Sequence, residues 1–556
     1  MAPEETVMRR FVPLVLLALL AMLSAPSAAP GANYRLSEGH PASDVWNLAP
    51  DSVSHDGRWI FYVHDAEVDQ AHELWRVATA GGTPERISGL LPANDAVEDH
   101  AVTPDGARIL FRSPQDELGQ VELFSAEVGG APGSFVQVNA PLPTGLSVQG
   151  PLAFSPDSLR LVYQTNASPP SDTVASELWI ADVDGGERNL LVSLPLGGHF
   201  GFDPGGRATH DFSRLIYRAD AAVDGRLDLW SVPVAGGAPT KLNGALVAGG
   251  DVQGFVPSPF DDAVAYLADQ QVEGRIELYI VPAAGGNVVK LSHALSGNWD
   301  ILEPRFLPDG TRILYSEFDV DTRQIWSVRP DATDRVALVG PMVSDGAVKR
   351  YAFDSDRLVF LADKEVWNRF ELYSVPIAGG TPVKLHPPLV AGGDVAIDWE
   401  VAPRITSDGT RVVYVADQAT AGYENLYVVP IGGGPSVPVG GAGSLGGSRI
   451  LDFEISPDGE WVAMVQELES FVPGGGISTR LRMARFDRPG WTTVDSCTGE
   501  CEVAIDPVFS PSAPYRVFYI ADQEVDNKRE LYAGDACLLC DGFDAGSTLR
   551  WSSALP

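Results

Sequence analysis

The chain is poor in cysteine, poor in positive charge and nearly without long apolar runs. All four cysteines, Cys497, Cys501, Cys537 and Cys540, lie near the C-terminus, so no disulfide framework staples the rest of the 556 residues. Lys and Arg number 39 against 74 Asp and Glu, a net charge of −35. That balance excludes the cationic surface that nucleic acid or an anionic membrane requires, and it favours cations or a basic partner. Beyond the N-terminus no apolar run approaches the roughly 20 residues of a membrane span. Membrane insertion is therefore not expected, and the mature chain should be a soluble monomer. Sustained helical periodicity is missing too. So is a Gly-x-Ser-x-Gly nucleophile elbow, and the nine histidines are scattered, with no pair at ligand spacing.

The N-terminus itself reads as an export signal. Arg9 and Arg10 precede an apolar core from Leu14 to Leu23, and small residues follow from Ala25 to Ala32. Residues 1–32 are assigned to this leader, with Met8 as an alternative start because Glu4 and Glu5 are foreign to such segments. The mature protein, 33–556, should be periplasmic or extracellular.

What fills the mature chain is repetition. Ser231-Val-Pro-Val-Ala-Gly-Gly-Ala-Pro-Thr-Lys-Leu242 returns 143 residues on as Ser374-Val-Pro-Ile-Ala-Gly-Gly-Thr-Pro-Val-Lys-Leu385. Leu246-Val-Ala-Gly-Gly-Asp-Val252 returns at the same offset as Leu389-Val-Ala-Gly-Gly-Asp-Val395. The unit has a Pro-Asp-Gly-type turn (Pro308-Asp309-Gly310), an apolar run (Arg312-Ile-Leu-Tyr315) and a Glu-Leu-Tyr segment (Glu277-Leu-Tyr279). A Gly-Gly turn and a short Val-Lys-Leu segment (Val289-Lys-Leu291) complete it. Short β-branched and aromatic runs bounded by Gly, Pro and Asp are strands, and both turn types suit tight hairpins. Four antiparallel strands at a period of about 48 residues predict a propeller blade. The spacing predicts about ten blades, with turns near Asp56, Asp105, Asp157, Arg214, Asp261, Asp309, Ser355, Asp408, Asp458 and Ser512. The fold class is thus all-β. One ring is favoured over two smaller ones because the spacing is unbroken. Asn33-Tyr-Arg-Leu-Ser37 matches the fourth strand of other copies and is expected to close the last blade.

These residues resemble the TolB-like β-propeller repeats, through Phe154-Ser-Pro-Asp157 and Glu454-Ile-Ser-Pro-Asp-Gly459 followed by Glu-Leu-Tyr and Gly-Gly. The repeats are also similar to the propellers of the prolyl oligopeptidase group and of oligogalacturonate lyase. The resemblance implies a fold, and for TolB itself the binding of envelope proteins. The α/β domain of TolB and the hydrolase domain of the peptidases have no counterpart in the sequence, so activity does not follow from fold.

Three sets of residues are candidates for function. An Asp after the second strand precedes an acid or amide by eight residues, as in Asp65 and Glu73, Asp220 and Asp228, Asp269 and Glu277, Asp363 and Glu371, Asp417 and Asn425, and Asp522 and Glu530. Hard cations take such oxygens, so calcium is the one cofactor these pairs could hold. The simpler expectation is no cofactor, with Asp capping a turn and Glu paired with a nearby base. The second set is the channel mouth, where links between blades carry Glu98, Asp99, His100, Asp251, Trp299, Asp300, Glu303, Asp394, Trp399, Glu400, Asp452 and Asp506. Acids beside aromatics suit a cation, a basic peptide or a sugar face. The third is the aromatic column Trp75, Phe124, Trp179, Trp230, Tyr279, Trp326, Tyr373, Tyr427 and Tyr532, assigned to packing between blades. The cysteine pairs fall on opposite faces of a blade, too far apart for one zinc site, whose ligands lie about 2.3 Å from the metal. Two local disulfides are expected, with redox-active thiols as the alternative. The sequence therefore reads as an exported, non-enzymatic scaffold for a protein or peptide, with a channel-centred polysaccharide lyase or hydrolase as the competing reading.

Overall fold

Six of the ten blades, 1 to 4, 8 and 9, start from the same few hydrogen bonds. In the turn between the first two strands, a Ser or Thr hydroxyl donates to an Asp two residues on. Ser54 donates to Asp56, Thr103 to Asp105, Ser155 to Asp157 and Ser456 to Asp458, at 2.5–2.6 Å. The same hydroxyl accepts the N–H five residues on, as from Trp59 and Arg108. The Asp accepts the N–H two residues beyond itself. Gly57, Gly106 and Gly459 then adopt φ near +70°, where L side chains are strained. The turn is therefore specified locally, before any tertiary contact.

The computed structural model describes residues 34–535 with gaps, the main ones at 38–43, 168–174, 202–206, 396–400, 441–447, 470–476, 495–502 and 523–528. Among the described residues every regular element is a strand, and the strands form ten four-stranded antiparallel sheets. Blade 5 is representative: strand a is Val252–Pro257, b Ala263–Ala268, c Glu277–Pro282 and d Val289–Lys290. In the less regular blade 4 the turn centres on Asp211, three residues before the expected Arg214. There His210 and Phe212 replace Pro and Gly, and Phe212 takes φ +56°, so the sequence pattern is blurred while the hydrogen bonds persist.

Ring closure is direct. In blade 10 the order is Tyr34–Arg35, Glu530–Asp535, Arg516–Ala521, Val508–Phe509, so the N-terminal strand supplies strand d. Tyr34 pairs with Ala533 and Arg35 with Tyr532. Leu36 N–H donates to Leu531 O at 2.7 Å.

Ten apolar clusters hold the ring, each spanning two successive blades. The cluster that joins the ends packs Val45, Ile60 and Tyr62 of blade 1 against Phe518, Ile520 and Leu531 of blade 10. Clusters and blades are equal in number, which one closed ring requires. The aromatic column belongs to this core. Each strand-c aromatic lies opposite a strand-b aromatic, as in Tyr266 with Tyr279, Phe360 with Tyr373 and Tyr414 with Tyr427, with ring centroids 5.4–5.6 Å apart. Blade 9 is the exception and pairs Met464 with Arg482.

Candidate functional site at the channel mouth

The carboxylates that follow strand b act as latches. Asp269 accepts the N–H of Asp251 at 2.5 Å and of Gly274 at 3.0 Å, tying the incoming link to the b–c hairpin. Asp363 does the same with Ala347 and Asn368, and Asp417 with Asp394 and Gly422. Asp65 accepts from Asp44 and Gln70, and Asp220 from His199 and Gly225. The geometry is that of turn capping.

The partner acid at the start of strand c is buried and meets a base from strand d of its own blade. Lys290 reaches Glu277 at 2.5 Å, Lys384 reaches Glu371 at 2.9 Å, Lys241 reaches Asp228 at 2.6 Å and Arg35 reaches Glu530 at 3.1 Å. Tyr279 and Tyr373 donate their hydroxyls to the same carboxylates at 2.8 Å. Burial pushes the Glu371 and Asp228 carboxyls up, but Lys384 with Tyr373, and Lys241 with Asn243, outweigh it and hold both below their ordinary values. In blade 1 burial wins. Arg86 stands 3.7 Å from Glu73, and the Glu73 carboxyl is pushed up to about 7. The strand-d bases were not singled out from sequence, although the recurring Val-Lys-Leu was the available signal.

Of the mouth residues, Asp99, His100, Asp300, Glu303 and Asp452 sit within strand a and not in the links, because the strands are Asp99–Val102, Asp300–Phe306 and Ser448–Ile455. Glu98 and Asp99 both bind Arg112, at 2.9 and 2.7 Å, and Arg112 also donates to Val148 O of the next blade. Asp251, Asp300 and Asp394 accept the N–H groups of Leu227, Ile276 and Phe370, each in the preceding blade, at 2.8–3.0 Å. Burial raises the Asp394 carboxyl, and the Phe370 N–H pulls against it. Asp452 and Glu454 bind Arg404 of blade 8. Trp299 is half-buried against the cluster between blades 5 and 6. His100 is half-buried on the strand that carries Asp99. Trp399, Glu400 and Asp506 lie outside the described residues, as do all four cysteines and the leader at 1–32. The two expected local disulfides therefore fall outside the described residues as well.

Glu303 is the outlier. It holds φ +53° at a bulge in strand a of blade 6. The Tyr351 hydroxyl of blade 7 donates to its carboxylate at 2.9 Å, and Arg323 lies 3.4 Å away. Burial pushes the Tyr351 phenol up, and Glu303 adds to the shift. Arg112, Arg323, Arg404 and Tyr351 were not foreseen, because cross-strand register and blade packing bring them to the acids, not spacing along the chain. On the opposite face, His210, Asp211 and Asp262 place ligand atoms within 4.8 Å of one another. This is the group among the described residues with metal-ligand geometry, and all three are exposed.

No protein-family model matches the chain, and no curated protein matches it. Solved structures do. A putative TolB from Agrobacterium tumefaciens is 19% identical over 44% of this chain and 79% of that one, with TM-score 0.27. An oligogalacturonate lyase in complex with manganese is 13% identical over 73% and 98%, with TM-score 0.34. A structure of prolyl endopeptidases is 14% identical over 68% of this chain and 55% of that one, with TM-score 0.39. The chain is a ten-bladed β-propeller. That statement rests on its own sheets and clusters, and it is consistent with the resemblance read from the repeats. Among the described residues no helix is long and apolar enough to cross a membrane.

Proposed function

We propose that this protein is an exported binding scaffold that recognises a protein or peptide partner on the face of the ring carrying the b–c hairpins and the links. The carrying observation is rigidity at that face. Latch carboxylates tie hairpin to link within a blade, and link carboxylates tie each blade to the one before. Loops held on a rigid frame present side chains with little ordering cost on binding. The export reading rests on the leader at 1–32, and the negative charge favours a basic partner. The described mouth acids already engage Arg112, Arg323, Arg404 or backbone N–H groups. Recognition there would use pre-paired charges and not bare ones.

The test is a photo-crosslinking residue placed at position 99 or 303 in the exported chain, with adducts identified by mass spectrometry. Capture of a discrete protein is expected at one of the two positions. The enzyme reading has one foothold, the Tyr351, Glu303 and Arg323 constellation. Release of unsaturated or reducing ends from a polysaccharide, lost in Glu303→Gln, would replace the scaffold reading with it.

A further inference from the structure

Two joints of the ring share a geometry and differ in charge. Strand a is the edge strand of each sheet, and there side chains cross from one blade to the next around the central channel. In blade 8, Arg404 lies opposite Val413 of strand b. It crosses to blade 9, binds Asp452 and Glu454, and covers the Phe453 ring with its guanidinium 4.9 Å from the centroid. Arg305 holds the same place in blade 6, opposite Leu314. The places of Asp452, Phe453 and Glu454 are taken in blade 7 by Arg350, Tyr351 and Ala352, which pair with Leu361, Phe360 and Val359 of strand b. The joint between blades 6 and 7 thus keeps the arginine and the ring, loses both carboxylates and gains a second guanidinium.

Arg305 is left without an acid. Burial and Glu303 raise the Tyr351 phenol, and the charges of Arg305 and Arg323 oppose them, so both guanidinium groups stand near its hydroxyl. Arg323 has Glu303 at 3.4 Å. The Arg305 side chain is exposed, and its guanidinium makes no hydrogen bond or ion pair among the described residues. Arg112, Arg323 and Arg404 at this mouth all hold acids. A guanidinium fork takes a carboxylate or a phosphate in paired hydrogen bonds, and charge selects between ligands. Asp300 and Glu303 stand on the strand of Arg305, and the chain carries −35. A phosphate dianion or a polyanion is repelled there, whereas a single carboxylate on a basic chain is not. Strand a of blade 7, Val348–Phe353, pairs only with strand b, so its other edge offers backbone groups to an extended polypeptide. From this we infer that Arg305 and Arg350, on strands a of blades 6 and 7, bind the C-terminal carboxylate of a basic polypeptide. The inference rests on the scaffold reading and names the end of the partner that the channel takes.

The probe is an N-terminally fluorescein-labelled Lys–Ala peptide, made with a free C-terminus and with an amidated one, and titrated with the full chain by anisotropy. The net charge of the protein by itself favours the amide, which is the more positive of the two, so preference for the free acid reports a local site. The free acid should bind at least about tenfold tighter. Arg305→Gln should abolish that preference while leaving amide binding and the thermal midpoint unchanged, and Arg305→Lys should restore only part of it. Equal or tighter binding of the amide, or a preference that survives in Arg305→Gln, overturns the inference. So does tighter binding of a labelled oligouronate that Arg305→Gln abolishes, since that makes an acidic sugar the occupant. If both peptides bind equally and Glu303→Gln weakens both, the scaffold reading stands without this site. If neither peptide binds, this inference falls, and capture at position 303 decides the scaffold reading separately.

Discussion

Glu73 and Glu371 occupy the same place in their blades and titrate in opposite directions. The difference lies in their donors: Lys384 and the Tyr373 hydroxyl both bond Glu371, whereas Arg86 leans toward Glu67 at 2.7 Å and leaves Glu73 buried at a longer distance. A carboxyl raised to about 7 favours its protonated form in the folded state. Its contribution is complete below the unfolded value of 4.5 and is lost as pH rises through about 7. Glu73→Gln should therefore lose less thermal stability than the native chain between pH 5 and pH 8, as scanning calorimetry would show; parallel profiles would place Glu73 on an ion pair instead. The turn aspartates behave inversely. Ser213 N–H and Thr209 hold Asp211 at about 2, and Thr406 and Thr410 hold Asp408 at about 2. Their stabilisation is present above the ordinary value of 3.8 and disappears as pH falls toward 2. Asp408→Asn should flatten the acid limb of the stability curve between those limits. Asp269→Ala removes the acceptor of two N–H groups and should cost about 1 to 3 kcal/mol in urea denaturation. No measurable change would show that water replaces the latch.

At the scale of the element, the informative blade is the tenth, whose strand d comes from the other end of the chain. Arg35 pairs with Glu530, and the Ser37 hydroxyl accepts the Leu531 N–H at 2.9 Å. Leu36 enters the cluster that joins blades 10 and 1. A chain beginning at residue 39 would leave strand Glu530–Asp535 as an open edge, which invites pairing with other chains. Such a chain should unfold at lower denaturant and form concentration-dependent oligomers in sedimentation. Unchanged stability and a monomer would mean that the clusters alone close the ring.

At the scale of the molecule, each blade owns half of two interfaces, so a large core residue supports a neighbour as well as itself. Tyr279, 1% exposed and stacked on Tyr266, lies in the cluster between blades 4 and 5. Tyr279→Ala should cost about 3 to 5 kcal/mol, the range for a large buried aromatic. The loss should register as a lower denaturation midpoint for the whole ring. The mouth acids also belong to this scale. Asp251, Asp300 and Asp394 each bind the blade before their own, so they serve the joints of the ring whatever else they meet.

Strand identity, turn chemistry, the number of blades and the closing N-terminal strand were all legible in the residues, because short-range hydrogen bonds, short apolar runs buried on both faces and the repeat of one unit specify them. The Ser54–Asp56 turn and the Glu277-Leu-Tyr279 strand needed no tertiary knowledge. The fate of the charged residues was not legible. Whether Asp99 faces solvent or Arg112, whether Glu303 meets Tyr351, and whether Glu73 gains a close base depend on register across strands and on the angle between blades. Register within a blade sets Asp99 opposite Arg112 and places Arg86 of the neighbouring strand 3.7 Å from Glu73, and only the packing of blade 6 against blade 7 brings Tyr351 to Glu303.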